Sequence, residues 1–464
     1  MGASDVIWIT LESLRLDKTT LGGHMRNTTP NLQRVSNRDD GVDFDQCFSH
    51  DIWTRPSSAS ILTGYAPSAH QTWSNGARLP DKISTIPEAF QAGGFRTACI
   101  SSNPQLSTST GLDRGFDYFH YIERSTILSN VGLLSLAKWV ANISHHGGGL
   151  TLERRKHCRG YLLNEVAKKH ISIASKHGES LFLYIHHGDS HHPYIPPKSW
   201  VEHFTDGLSI DSDQAFKLAF DMSNNLHQYI GESEPFTDEE WQALEVMYDT
   251  VVRYVDHLVG ELVKYAENKL KNPIVVVTGD HGELFGEYGL LAHMLVTHTA
   301  VSNVPLVISG IDGLPTSGLV QHADIMQILC NELGLEHPVP AGQDIRDEPR
   351  EVAITQRGGE RAQNKLNEIT KHNPKYDSSR FHLNDLSSIR TSEWRYQTSG
   401  ERSELFDLED EMTDVSGDYP DKASQLDKRL TTWLEGVGQP IGRTGTAKFT
   451  DQMEDHLREL GYLQ

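Results

Sequence analysis

The chain predicts a doubly wound, mostly parallel α/β sheet flanked by helices, followed by a small α+β subdomain. Three observations carry that reading: short apolar runs of strand length, helical patterns between them, and a late group of short strand-like segments.

Residues 6–11, 96–101, 181–185, 274–278 and 304–309 are continuous apolar runs. Strands of a parallel sheet read this way because helices cover both of its faces. The clearest helix starts at Thr237, an N-cap residue followed by Asp238, Glu239 and Glu240 in the first turn. Trp241, Leu244, Tyr248, Val251, Val255, Leu258, Leu262 and Tyr265 then form an amphipathic stripe. The segment 344–387 is polar and loses the alternation, which predicts an insertion or a mobile connection. After it, Ser388-Ile389-Arg390, Trp394-Arg395-Tyr396 and Glu404-Leu405-Phe406-Asp407-Leu408 predict a small antiparallel sheet, with a helix over 422–434. The expected division is an α/β domain over 1–340 and a subdomain over 341–464.

The 464 residues, 37% hydrophobic and 23% charged, describe a globular protein. A formal net charge of -21 argues against nucleic acid or an anionic membrane as a partner. It also works against long-range attraction of an anionic substrate, unless a bound metal reverses the local field. Cys47, Cys99, Cys158 and Cys330 lie far apart with no paired-ligand spacing, so neither a disulfide framework nor a cysteine metal site is expected. Met1 to Asp5 runs directly into Val6 without a basic stretch or a sustained apolar one, and no run approaches the ~20 residues that cross a bilayer. A cytoplasmic location is expected.

Ligands of an open α/β sheet bind beyond the carboxyl ends of its strands. The first run is followed by Glu12, the third by His186-His187-Gly188-Asp189-Ser190-His191-His192-Pro193-Tyr194, the fourth by Gly279-Asp280-His281-Gly282-Glu283. Carboxylates and imidazoles delivered to one sheet edge suit a divalent metal: calcium, magnesium, manganese or zinc. Each cluster alone has a plainer reading. Glu12 would be a helix-start carboxylate, and Asp280-His281-Gly282 a turn. His186 is expected to face the packed side of its strand, outside the site. In Trp53-Thr54-Arg55-Pro56-Ser57-Ser58, Pro56 suits a helix's first turn and places Thr54 at its positive end, as a nucleophile or as a simple N-cap.

These residues resemble the sulfatase family of the alkaline phosphatase superfamily. Thr54-Arg55-Pro56-Ser57-Ser58 and Thr63-Gly64 occupy the frame of that family's formylglycine motif. Asp189-x-His191-x-Pro193-Tyr194 and Thr278-Gly279-Asp280-His281-Gly282-Glu283 resemble its later motifs, and the likeness extends over about residues 4 to 435. Thr54 stands where the modified cysteine stands in most members, Ser58 replaces the motif's arginine, and Glu12 the usual first metal-binding aspartate. Asn103 lies where a Lys-x-His signature is expected, and His293 in the place of a later lysine.

The resemblance implies hydrolysis of a sulfate or phosphate ester, on a small molecule or glycan, through Thr54 and a divalent metal. Glu12, Thr54, Asp280 and His281 would form one metal site, and Asp189, His192 (or His191) and His293 (or His298) a second, about 4 Å away. His191 would join Thr54 in catalysis, and Asn103, Arg55 and His298 would contact substrate. Two alternatives stay open: transfer of a phosphoryl-linked group to a glycan-like acceptor, and a degenerate fold that only binds its ligand.

Overall fold

Apolar runs with no polar face need cover on both sides, and they receive it. The computed structural model describes residues 4–151, 153–232 and 235–462; the reading made on Met1 to Ala3 falls outside them. Eight strands form the main sheet: β1 (Val6–Leu11), β2 (Gly41–Phe48), β3 (Arg96–Ser101), β4 (Tyr118–Tyr121), β5 (Leu181–His187), β6 (Ile274–Gly279), β7 (Asn303–Ser309) and β8 (Val320–Gln321). Their spatial order is β8-β2-β7-β6-β1-β5-β3-β4. The main helices are α1 (Thr54–Thr63), α2 (Gly160–His177), α3 (Asp238–Lys269) and α4 (His322–Leu333).

Alternation along the strands divides the core into two layers. Ile7, Ile9, Leu183, Ile185, Val275 and Val277 pack with α2 and α3. Val6, Trp8, Phe182, Tyr184 and Val276 pack with α1 and α4 on the opposite face. Helix α3 starts as read, with Thr237 and Glu240 in a reciprocal capping box. The register of the central strands decides where chemistry can gather. Thr10 lies opposite both His186 and Thr278, and Leu11 opposite His187 and Gly279, so β5, β1 and β6 end level. Whatever follows those three strands emerges at one edge.

Two expectations are corrected. Strand β7 is antiparallel to β6 and to β2, not parallel. Between β6 and β7 the chain forms only short elements and no long crossover helix, and a parallel return needs such a crossover. The polar stretch 344–387 is not a mobile connection: it contains β9 (Ala353–Arg357) and α5 (Gly359–His372). The buried face of α5 consists of Arg361, Ala362, Lys365, Leu366 and Ile369. Two cations on that face hide its apolar periodicity.

Strand β9 leads a second, antiparallel sheet with β10 (Leu386–Arg390), β11 (Trp394–Thr398) and β12 (Ser403–Asp407). Its core joins Ile354, Ile389, Tyr396 and Leu405 to Leu426 and Leu430 of α6 (Pro420–Gly436). The last helix is α7 (Asp451–Glu459). Cys47, Cys99, Cys158 and Cys330 are buried and free. Among the described residues, no helix is long and apolar enough to cross a membrane.

One buried ion cluster ties the two sheets together. Glu411 accepts hydrogen bonds from Arg390 Nη2 on both oxygens at 3.0 Å and from Arg395 Nε at 2.7 Å, and it holds the Thr299 hydroxyl beyond β6. Burial pushes its carboxyl up, but the Arg390 and Arg395 guanidiniums prevail and hold it at about 2, below the usual 4.5. Glu411→Ala leaves two buried guanidiniums without their counter-charge and is expected to cost about 3–5 kcal/mol at pH 7. A carboxyl held low in the folded state stabilises above its unfolded pKa, and the benefit fades as pH falls through the folded value. The denaturation midpoints of wild type and variant should therefore differ most at neutral pH and converge between about pH 4.5 and 2. Equal midpoints at pH 7 would remove this role.

Candidate active site

The three level strand ends and the start of α1 build one buried cluster. Glu12 follows β1, Asn103 lies two residues past β3, Asp280 and His281 follow β6, and Thr54 opens α1. Glu12 Oε1 accepts hydrogen bonds from Thr54 Oγ1 at 3.0 Å and from Asn103 Nδ2 at 2.6 Å. Thr54 Oγ1 lies 3.4 Å from His281 Nε2, which is 3.6 Å from Asp280 Oδ2. The N-cap of α1 is Trp53, in extended conformation, and Thr54 is the first helical residue, so the simple N-cap reading does not describe it. Its hydroxyl turns to Glu12 while the leading N–H groups of the turn have no partner inside the helix.

The donor set suits a divalent cation. Asp280 Oδ1 accepts from the backbone N–H groups of Ser13 and His281 at 3.2 and 2.9 Å, whereas Asp280 Oδ2 is buried without a hydrogen-bond partner. His281 Nδ1 lies 2.9 Å from the Gly282 carbonyl and must donate to it, which leaves the Nε2 lone pair facing Thr54. Two carboxylates, an imidazole lone pair and a hydroxyl around one orphaned oxygen match hard-cation and zinc chemistry alike.

His186 corrects the sequence reading. It does not sit in packing: its Nε2 lies 3.2 Å from Glu12 Oε2. Burial opposes the charges of this pair, but the hydrogen bond prevails, holding Glu12 well below the carboxylate range and raising His186 above 6.5. The last residues of a buried strand are where side chains leave the core, and alternation alone does not show that.

Beside this cluster stands a group of imidazoles. The His293 ring centroid lies 4.4 Å from that of His281 and 5.0 Å from that of His191; the His191 and His192 rings are 4.1 Å apart. Burial holds His191, His192 and His293 below 6.5, so they are neutral and keep a lone pair. His191 Nδ1 meets the His192 carbonyl at 2.7 Å, and its buried Nε2 has no partner. His192 Nδ1 contacts Ser223 Oγ at 2.9 Å. His293 Nδ1 lies 3.0 Å from Glu283 Oε2, and burial pushes Glu283 up to about 8. Ligand atoms of His281, Glu283 and His293 lie within 4.8 Å of one another, a further grouping able to hold a metal.

Three residues read as site members have other partners. Asp189 lines a cavity of about 90 Å³ with Glu12, Asn103, His191 and His192, yet its two oxygens accept the backbone N–H groups of Arg159 and Gly160 at 2.8 and 2.7 Å and so cap α2. The buried guanidinium of Arg55 spends its donors on Gln105 Oε1 and the carbonyls of Ser74, Asn75 and Ala77. His298 caps the short helix Thr299–Ser302 and stacks edge-on to Tyr288.

The residue that sequence reasoning missed is Tyr462. It follows α7, and its hydroxyl lies 3.1 Å from Thr54 Oγ1 and 3.3 Å from Glu12 Oε1. No motif surrounds it, and nothing in its local sequence marks it.

Comparison with known proteins agrees with the geometry. A family model described as Sulfatase matches residues 4–334. The uncharacterized sulfatase YidJ of Escherichia coli (strain K12) is 20% identical over 435 residues, covering 87% of this chain and 82% of that protein. Arylsulfatase K of Xenopus laevis is 23% identical over 413 residues, 82% of this chain and 73% of its own. Among solved structures, the phosphonate monoester hydrolase SpPMH from Silicibacter pomeroyi superposes with a TM-score of 0.69 at 18% identity, covering 93% of this chain and 95% of its own. At that identity the likeness speaks for the fold.

Proposed function

The chain belongs to the sulfatase family, and from that membership and the geometry around Thr54 we propose that it hydrolyses sulfate or phosphate esters with the Thr54 hydroxyl as nucleophile. The observation that carries the reading is Thr54 Oγ1 within 3.4 Å of both Glu12 Oε1 and His281 Nε2, beside the unpartnered Asp280 Oδ2. Glu12, Thr54, Asp280 and His281 would hold a divalent ion (calcium, magnesium, manganese or zinc), which when bound lowers the pKa of the hydroxyl and offsets charge on the ester oxygens. His192 and His293, with Asp189, are the residues we assign to any second ion.

The chain's own groups account for the remaining chemistry. As the Thr54 oxygen bonds to sulfur or phosphorus, the departing ester oxygen takes up a proton equivalent to the one Thr54 gives up, and Glu12 Oε1 orients the hydroxyl throughout. Water then cleaves the threonyl ester: its oxygen bonds to sulfur or phosphorus, His191 Nε2, neutral and unpartnered, takes one of its protons, and an equivalent proton returns to the Thr54 oxygen as it leaves. Asn103 Nδ2 fixes Glu12 and borders the bound ester. We assign no substrate contact to Arg55, whose donors are engaged elsewhere, or to His298, whose Nδ1 accepts the Ala300 backbone N–H in a helix cap. The names of the relatives point to sulfate esters for some and a phosphonate monoester for another, and a small-molecule or glycan ester is the class we assign here. Dividing the chain at 340/341 puts the Thr54 cluster in the first unit and α5 with Tyr462 in the second.

The test is turnover of 4-nitrophenyl sulfate, phosphate and phenylphosphonate and of bis(4-nitrophenyl) phosphate, after stripping the protein and reloading it with each of the four metals. Turnover with at least one pair, lost on chelation, is expected. A metal-loaded protein inert across the whole panel would overturn the reading.

A further inference from the structure

A chain of net charge -21 buries two basic side chains close to its nucleophile, and among the described residues neither forms an ion pair at contact distance. Arg361 and Lys365 lie one turn apart on α5, 7% and 9% exposed. Their hydrogen bonds go to neutral oxygens: Arg361 Nη1 to Asn75 Oδ1 at 3.3 Å, and Lys365 Nζ to the Gly461 carbonyl at 2.6 Å. Arg361 Nε is buried with no partner. Two carboxylates act on them from nearby: Asp51, which burial pushes well above the carboxylate range, and Glu368, which also pairs with Lys371 at 2.6 Å. Burial, with the adjacent guanidinium, holds the Lys365 ammonium down at about 7.

An unpaired buried charge is costly, and stacking on aromatic faces recovers only part of the cost. The Arg361 guanidinium packs 4.3 Å from the Trp53 ring centroid and 5.1 Å from that of Tyr462. Trp53 adjoins Thr54, and the Tyr462 hydroxyl touches Thr54 Oγ1 at 3.1 Å. The Arg361 guanidinium therefore stands one aromatic ring away from the reacting oxygen. Arg361 and Lys365 face a cavity of about 820 Å³ that Asn75, Arg155, His227 and Tyr462 also line. That volume lies within the ~300–1,000 Å³ usual for small-molecule sites.

We propose that Arg361 and Lys365 form an anion subsite, which binds a second negative group (carboxylate, sulfate or phosphate) on the part of the substrate beyond the ester that Thr54 attacks. The guanidinium fork and the ammonium supply convergent charged donors to a multi-oxygen anion. The anion takes over the ammonium that the Gly461 carbonyl holds in this conformation. The proposal rests on the ester-hydrolase reading and narrows its substrates to those carrying two anionic groups.

The experiment compares an aryl ester with the same ester bearing a ring carboxylate, in wild type, Lys365→Met and Arg361→Gln, with folding followed by thermal denaturation. Lys365→Met replaces a buried ammonium by an apolar chain of similar length and should fold even if Arg361→Gln does not. The preference for the carboxylated ester, as a ratio of kcat/KM, is expected to fall about tenfold to a hundredfold, the value of a charge-assisted hydrogen bond. Equilibrium binding of the carboxylated phenol product provides a readout independent of turnover, and it too should weaken in Lys365→Met. Should no ester turn over while wild type binds this product and the variant does not, the hydrolase reading fails and the subsite stands. Equal product binding by wild type and Lys365→Met overturns the subsite whatever the turnover.

Discussion

Thr54→Ala is expected to lower kcat by at least about 10³-fold on whichever ester the protein turns over, with little loss of stability. Removing the nucleophile of a covalent mechanism eliminates the first chemical step, and what survives is the residual rate that binding and electrostatics give to direct attack by water. The fold should tolerate the change because the carboxylate that accepts the Thr54 hydrogen bond keeps other donors, and only the long 3.4 Å approach to His281 Nε2 is lost besides. Glu12 Oε1 keeps the Asn103 amide at 2.6 Å and the Tyr462 hydroxyl at 3.3 Å, and Tyr462 keeps Glu12. The lost hydrogen bond is worth about 1 kcal/mol. Thr54→Ser keeps the oxygen and should retain much of the rate, which separates loss of the nucleophile from loss of packing. If Thr54→Ala retained activity within about tenfold of wild type, Thr54 would be a bystander to direct attack by water.

What the sequence made legible follows from which physical signals are local. The runs that became β1 and β3 show their ends because a strand buried on both faces needs apolar residues at every position, and the polar residues beyond mark the edge. Glu12, Asp280 and His281 could be read as neighbours because they follow strand ends, and Thr54 because it holds the nucleophile's place in a family motif at the start of α1. Their shared location depends on the level register of β1, β5 and β6, which only pairing sets. His186 was misplaced, and the second partner set of Asp189 was not foreseen, for a common reason: at and just beyond the end of β5 one side chain turns to Glu12 and the other also holds the amides that open α2, and the direction depends on partners far along the chain. Arg55 keeps a family position beside the nucleophile but spends its donors on Gln105 and backbone carbonyls. Tyr462 and α5 were missed because their signal is tertiary. A buried helix face bearing Arg361 and Lys365 reads as exposed until the cavity that it faces is known.

Asp280→Asn is expected to move stability in opposite directions with and without metal, and the sign follows from one oxygen. In the absence of a cation Asp280 Oδ2 is a buried carboxylate oxygen with no hydrogen-bond partner, in a cluster that also contains the Glu12 carboxylate. Such a group costs about 1–3 kcal/mol or more. Asparagine keeps an oxygen for the Ser13 and His281 N–H groups, and it places an amide donor where Oδ2 stood, 3.6 Å from the His281 Nε2 lone pair. The chelated variant should therefore denature at a higher temperature than chelated wild type. A divalent ion reverses the order. Wild type gains stability with ion concentration, about 2.7 kcal/mol at a hundred times Kd, whereas the variant has lost an anionic donor and gains far less. Activity follows the ion, so the more stable apo-protein should be the nearly inactive one. Melting temperatures of both proteins in chelator and in each of the four metals measure the crossing. A variant destabilised equally under all conditions would mean that Asp280 serves packing alone, and that the orphaned oxygen has no cation to explain it.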